Sequence, residues 1–317
     1  MAFQRIVSRT LPDGKKGKVY PFHISLEGME SVLLCRDEED YDHLEKSFYV
    51  SAYMTNCIVI IGIAMSNHGH TSVLAESMED AFSMANLSKK RHSQYLSWKY
   101  GDRSTLARSD VNVKYLDSDW YVRNALAYIP RNAADAGVRV EDYRWSGYRG
   151  MFVGGRSREA VRRVSDLSRR ERNAVFRTHE DLSAVPWLLN REGGVEPASA
   201  CDYEYLESAF GHDQTFFLKM IGEVNVAEMQ QKLVSCGRTM QTDTEMLAVI
   251  KNLADKWYHV SIPELTPELK ARLLPYLYRS YRTTVPQMAR CLNMPRDVVS
   301  GLLASAGIRS SGGKVIK

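Results

Sequence analysis

An uncharged apolar run, "NCIVIIGIAM" (Asn56 to Met65), leads straight into "SNHGHTSVL" (Ser66 to Leu74). A continuous, β-branched run of this length is too short to cross a membrane and fits a central strand buried on both faces. The chain is thereby committed to a sheet with cover on each side. Side chains alternate along a strand, so His68 and His70 leave one face while Gly69 points to the other. Two imidazoles one strand repeat apart can chelate a divalent ion. The same pair can equally be two polar residues at a strand end, and spacing alone does not choose between them.

The neighbouring segments supply the rest of that sheet and its cover. "YPFHISLEG" (Tyr20 to Gly28) alternates as a strand, "SVLLCR" follows as a short second strand or strand-like turn, and "VNVKYLD" reads as another. "RDEEDYDHLEKSFYVSAYMT" opens with acids and places Tyr41, Leu44, Phe48 and Ala52 on one helical face. "SMEDAFSMANLSKKRHSQYLSWKYG" is a helix capped by Ser77, with Asp80 three residues on and Gly101 as its stop. Asp117, Ser118 and Asp119 offer cap oxygens to the helix "DWYVRNALAYI". These elements make a small α/β or α+β unit with helices against a sheet, followed by an all-α C-terminal region.

At 317 residues the chain has room for more than one domain. The texture changes near Arg156, which predicts a first domain over 1–155, a basic connector over 156–200 and a helical region over 201–317. The N-terminus has no signal-peptide core and no apolar window spans a bilayer, so a cytoplasmic protein without a membrane partner is expected. Five scattered cysteines without a CxxC pair suggest neither a disulfide framework nor a cysteine zinc site.

Net charge is only +4, so the distribution of charge carries more than its sum. "GRSREAVRRVSDLSRRER" holds seven arginines, among them Arg162, Arg163, Arg169 and Arg170. "SKKRHSQYLSWKYGDR" interleaves Lys89, Lys90 and Arg91 with aromatic rings. Such patterns suit phosphates and stacked bases, although either stretch also reads as a solvated helix face. Leu265 to Gly307 predicts three helices, the last two short and joined by the turn "MPR". Val285, Met288, Ala289, Leu292, Met294, Val298, Leu302 and Leu303 would pack them as a helix-turn-helix, with Arg296, Asp297 and Ser300 toward DNA bases.

A two-histidine metal site needs another ligand, and its chemistry needs a reacting group. "ALAYIPRNAADAG" carries candidates for both, since Tyr128 and Asn132 are four apart and share a helical face. A phenol can attack phosphorus when a cation neutralises the phosphate. The plainer reading makes Tyr128 a core aromatic and Asn132 a helix-end cap. Tyr95, Tyr100 and Tyr121 read as core or stacking residues, Tyr143 and Trp145 as structural ones. His23 and His92 make no claim by spacing.

"IAMSNHGHTSVL" resembles the histidine segment of the HUH (His-hydrophobic-His) single-tyrosine transposases, especially the REP-associated tyrosine transposases. The likeness extends to "HISLEGMESVLLCRDEEDYDHLEKSF", to "LSKKRHSQYLSWKYG" and to "YLDSDWYVRNALAYIPRNAADAGVRVEDYRWSGYRGMF". These blocks stand in the family's order over residues 20 to 152. The resemblance implies an α+β fold, an antiparallel sheet flanked by helices forming an HUH/ferredoxin-like catalytic domain, in which His68, His70 and Asn132 hold Mg²⁺ or Mn²⁺ and Tyr128 is the nucleophile. It implies cleavage and rejoining of single-stranded or hairpin DNA through a 5′-phosphotyrosine link. Monomer and homodimer both fit it, because relatives differ on whose histidines the tyrosine helix serves.

Several residues depart from the family pattern. Gly69 stands where a hydrophobic residue is usual, and its missing side chain predicts poorer packing on the far face. Ser66 replaces a proline, and "RSTLARSDVNVKY" replaces the family's aromatic segment before the strand. Pro130 removes a backbone N–H and disfavours helix at Ile129, which argues against a single turn joining Tyr128 to Asn132. A DNA-binding regulator that has lost catalysis is the rival expectation. A metalloenzyme that uses water as nucleophile is a third.

Overall fold

The computed structural model describes residues 3–27, 33–101, 106, 111–152, 162–224, 229, 239–240 and 243–308. The chain separates into two compact units, the first running to Met229 and the second beginning at Gln230. The composition breaks near residues 156 and 200 both lie inside the first unit. The fold is α+β, with an antiparallel sheet and helices around it. Among the described residues no helix is long and apolar enough to cross a membrane.

Five strands form the sheet: β1 Val7–Thr10, β2 Lys16–Glu27, β3 Ile58–Ala64, β4 His68–Ala75 and β5 Val111–Tyr115. β2 pairs with β4 along one side and with β1 and then β5 along the other, while β3 lies outside β4. The apolar run is therefore β3, and the two histidines open the next strand, β4, instead of ending β3. The outer edge of β3 is closed by other backbone. Ala64 N–H donates to the Trp145 carbonyl at 3.0 Å and Asp202 N–H to the Val59 carbonyl at 2.8 Å. An edge covered in this way offers no ladder to another chain. "SVLLCR" does not form the expected strand. Its described part, Leu33 to Arg36, is irregular, and the Leu34 and Cys35 N–H groups both donate to the Ser66 carbonyl.

The two faces of the sheet differ in chemistry. On one, Phe22, Ile24 and Leu26 of β2 join Val73 of β4 and Val113 of β5 in the core. Helices α1 (Glu38–Met54) and α2 (Met78–Tyr100) cover it with Leu44, Phe48, Met84 and Ala85. Each such side chain contributes about 1.5–3 kcal/mol by burial. Ser77 and Gly101 cap α2 as the sequence predicts, the serine accepting from Asp80 N–H and the glycine adopting φ 70. Gly69 lies on this face, and the predicted packing loss does not occur. A Cβ there would stand 3.0 Å from Phe48 Cζ and 3.3 Å from Leu44 Cδ2, because α1 has closed onto the glycine.

The opposite face is covered by α3, Asp119–Asp135, whose first turn is capped by Ser118 accepting from Tyr121 N–H. Pro130 sits inside α3 without ending it. The helix survives because it is gripped from both sides. Beneath it lies the sheet, and above it lie α6 (Tyr203–Ala209) and α7 (Gln214–Glu223), which follow α4 (Arg169–Phe176) and the short α5 (Pro197–Ala200). Arg123 of α3 donates to the Ala209 carbonyl at 2.6 Å and Arg131 to that of Ile221 at 3.3 Å. Tertiary packing of this extent outweighs the roughly 3 kcal/mol that a proline costs in a helix interior.

In the second unit α8 (Asp243–Tyr258), α9 (Pro267–Ser280), α10 (Val285–Leu292) and α11 (Arg296–Ser305) share one apolar core. Arg290 of α10 clamps the Asp243 carboxylate with two bonds of 2.8 and 3.0 Å. Asn293, left-handed at φ 49, ends α10, and Pro295 starts α11. One expected core residue is corrected. Val298 is 42% exposed, and Val299 with Leu303, four residues on, faces inward. Arg296 and Asp297 are exposed and Ser300 is half-buried.

Candidate active site

The polar face takes its residues from alternate positions of three strands. Glu27, Ser25 and His23 of β2 stand opposite His68, His70 and Ser72 of β4. Asn112 and Lys114 of β5 stand opposite Ser25 and His23. Directly paired side chains in an antiparallel sheet lie on one face about 5 Å apart. α3 lowers Tyr128 and Asn132 onto this row. The Tyr128 ring packs edge-on to His70 at 5.3 Å between centroids, and His68 Nε2 lies 3.1 Å from Asn132 Oδ1. His68, His70, Asn132 and Tyr128 thus come together although 64 residues separate the first from Asn132.

Asn132 owes its pose to its own helix. Its Nδ2 donates to the Tyr128 carbonyl at 2.9 Å and the Ile129 carbonyl at 3.2 Å, which fixes the amide with its oxygen toward His68. His68 Nδ1 faces Asn67 Oδ1 at 2.8 Å. Both nitrogens of one imidazole therefore point at amide oxygens, while a neutral ring has a single proton to offer. A cation beside Nε2 would resolve that conflict. Two ligands about 2.1 Å from a Mg²⁺ ion and at right angles are about 3.0 Å apart, close to the spacing seen here. The donor set mixes imidazole nitrogens, which suit the borderline transition metals, with an amide oxygen, which suits harder ions such as Mg²⁺ or Mn²⁺. Among the described residues no three His, Cys, Asp or Glu side chains converge as a metal cluster, so a donor set here would have to include the Asn132 amide.

The site is enclosed. Tyr128 is 2% exposed, His23, His70 and Asn132 are buried, and His68 is half-buried. Burial, then the neighbouring His68 and His23, hold the His70 ring neutral well below its ordinary range. Burial likewise pushes His23 down to about 3. Among the described residues, His23 Nδ1, Ser25 Oγ, Ser72 Oγ and Asn112 Nδ2 on this face are buried without a hydrogen-bond partner.

Comparison with known proteins comes to one distant likeness. No family model matches the chain, and no curated protein matches it. A solved structure of a REP-associated tyrosine transposase bound to a REP hairpin is similar, at 16% identity and a TM-score of 0.36. The match covers 47% of this chain and 88% of that one.

Two residues of the row, His23 and Glu27, carry no claim from sequence spacing. Glu27 is 5% exposed and stands directly across from His68. The alternation of "HISLE" already puts His23, Ser25 and Glu27 on one face. What it lacks is the knowledge that this strand lies beside the histidine strand. The basic candidates lie apart from the row. Lys90, Arg162, Arg163, Arg169 and Arg170 are exposed, Arg162 with Glu171 at 3.0 Å, and Lys89 is half-buried. Arg91 is half-buried and donates to the Phe176 carbonyl at 2.7 Å. Arg156 and Arg158 lie outside the described residues.

Proposed function

We propose that the protein is a metal-dependent, single-tyrosine HUH nuclease and transposase that cuts and rejoins single-stranded DNA, with hairpin-forming sites as its substrate. The observation that carries this reading is the convergence of His68, His70, Asn132 and Tyr128 on one polar face of an otherwise apolar sheet. His68, His70 and Asn132 would hold Mg²⁺ or Mn²⁺. When bound, the ion supplies positive charge that neutralises the scissile phosphate.

The chain's own residues do the rest. The Tyr128 oxygen forms a bond to phosphorus as the bond to the 3′ oxygen breaks, and the phenol proton is carried to the leaving 3′-hydroxyl. The step is reversible because the phosphodiester is exchanged for another. Packing against His70 aims the phenol. Since Tyr128 is 2% exposed, attack requires α3 to uncover it for DNA. Arg162, Arg163, Arg169, Arg170 and Lys90 would meet phosphates, and α10 with α11 would act as a helix-turn-helix presenting Arg296.

The test uses single-stranded oligonucleotides bearing imperfect palindromes from the DNA that flanks the encoding gene. With Mn²⁺ the protein should form a covalent adduct, and Tyr128→Phe should abolish it while DNA binding persists. An adduct retained by that variant would move the nucleophile elsewhere, and cleavage without attached protein would make water the nucleophile. The burial of Tyr128 favours a second reading, a DNA-binding regulator without catalysis. That reading predicts binding, no adduct and no Mn²⁺-dependent rise in stability.

A further inference from the structure

His23 is the one histidine of the polar face that the proposed reaction leaves unused. It lies on β2, wholly buried, and its Nε2 is 3.3 Å from His70 Nδ1. The rings are 5.2 Å apart and tilted by 34°, a contact made through their edges. His70 Nδ1 is thereby occupied from the β2 side, so its other nitrogen, Nε2, is the one able to ligate. A ligating Nε2 must carry a lone pair, which places the His70 proton on Nδ1 and makes it a donor to His23 Nε2. His23 can accept only when its own proton sits on Nδ1. One hydrogen bond therefore sets the tautomers of both rings.

His68 repeats the pattern. Its Nδ1 faces the Asn67 amide oxygen at 2.8 Å, leaving Nε2 turned toward Asn132. Each histidine of the pair is thus gripped at Nδ1 by a residue that is not itself a ligand. Orienting partners of this kind hold a ligand's tautomer and ring plane, and losing one usually costs about 10–100-fold in metal affinity. Ser72 pairs directly with His23, and Ser25 follows it by two residues on the same strand face. Their unpartnered hydroxyls stand beside the unpartnered His23 Nδ1, an arrangement polar enough for a bridging water.

We infer that His23 is a positioning residue, which fixes His70 as the Nδ1–H tautomer and so readies its Nε2 for a divalent cation. This rests on the metal-site reading above. The test has two parts. In metal-free protein labelled with ¹⁵N-histidine, long-range ¹H–¹⁵N spectra should show His70 protonated on Nδ1, and in His23→Phe that preference should be lost. Mn²⁺ titration by calorimetry should then give an affinity 10–100-fold weaker in His23→Phe, largely regained in His23→Gln, whose amide oxygen restores an acceptor.

A wild-type His70 protonated on Nε2 overturns the inference, as does a His23→Phe protein that binds Mn²⁺ like the wild type. If the wild type binds no Mn²⁺ and His68→Ala changes nothing, the metal-site reading falls. The tautomer of His70 in metal-free protein then still decides whether His23 orients it. Should His23→Phe fail to fold, the wild-type spectrum alone settles the tautomer.

Discussion

The first unit holds two pairs of buried histidines, one on each side of its sheet, and they differ in how their surroundings are completed. His43 and His92 meet between α1 and α2 with their Nδ1 atoms 3.0 Å apart. His92 Nε2 donates to the Leu34 carbonyl at 2.8 Å, and His43 stacks on Tyr95 at 3.9 Å. Beside them the buried Asp40 accepts from Lys99, Tyr95, Tyr100 and the Arg36 N–H. Asp40, His43, His92 and Tyr95 leave no buried polar atom unpartnered. The His23–His70 pair instead opens onto four unpartnered polar atoms beneath α3.

A closed network of polar groups holds two helices together and asks for nothing more. An incomplete one loses stability, since each unpartnered buried group costs about 1–3 kcal/mol. Such a loss persists where a ligand or water completes the network. The first cluster thus reads as structural, and the second is where the proposed site lies.

Three substitutions bear on that contrast, in order of expected size. Asp40→Asn turns an acceptor of four bonds into an amide whose NH₂ faces donors, and should cost about 2–4 kcal/mol in urea unfolding while leaving Mn²⁺ affinity unchanged. A loss below about 1 kcal/mol would deny the first cluster its structural role.

The second concerns acid. Burial pushes His92 down to about 4, against a weaker upward pull from its bond to Leu34 and from Asp40. Burial also depresses its partner His43, and the neighbouring His92 and the charges of Arg91, Arg177 and Lys46 act in the same direction. The unfolded chain therefore gains protons first, near pH 6.5, so stability present above that pH is lost as pH falls toward 4. His92→Gln should be less sensitive by about 2 kcal/mol between pH 7 and pH 4.5. Equal slopes in both proteins would mean that His92 is not held neutral by its site.

The smallest effect belongs to the polar face. Ser72→Ala removes a hydroxyl that has no partner, so stability should change by less than about 0.5 kcal/mol or rise slightly. A large loss would reveal a bridging network already complete without metal. Small or favourable changes at Ser25 and Ser72, set against a large loss at Asp40, would mark which buried polar cluster exists for stability.

Much of the fold is legible in local chemistry. The apolar run of β3, the caps Ser77 and Gly101 of α2 and the oxygens before α3 each act within a few residues. A reading of one stretch therefore reaches them. The shared face of His68 and His70 is legible for the same reason, as is the helical spacing of Tyr128 and Asn132.

Other features depend on distant partners. The irregular path of Leu33 to Arg36 goes with the bonds that the Leu34 and Cys35 N–H groups make to the Ser66 carbonyl, far along the chain. Val299 replaces Val298 in the core because the register of α11 is set by where that helix begins.

The sequence by itself determined a sheet with helices against it, a paired-histidine strand and a tyrosine–asparagine helix, because periodicity and capping are local properties. Tertiary structure alone decided the rest. Phe48 and Leu44 fill the space above Gly69, and α6 and α7 pack on α3, which continues as helix through Pro130. Strand order brings His23 to His70, since contacts between residues far apart in the chain are set by packing and register rather than by neighbours.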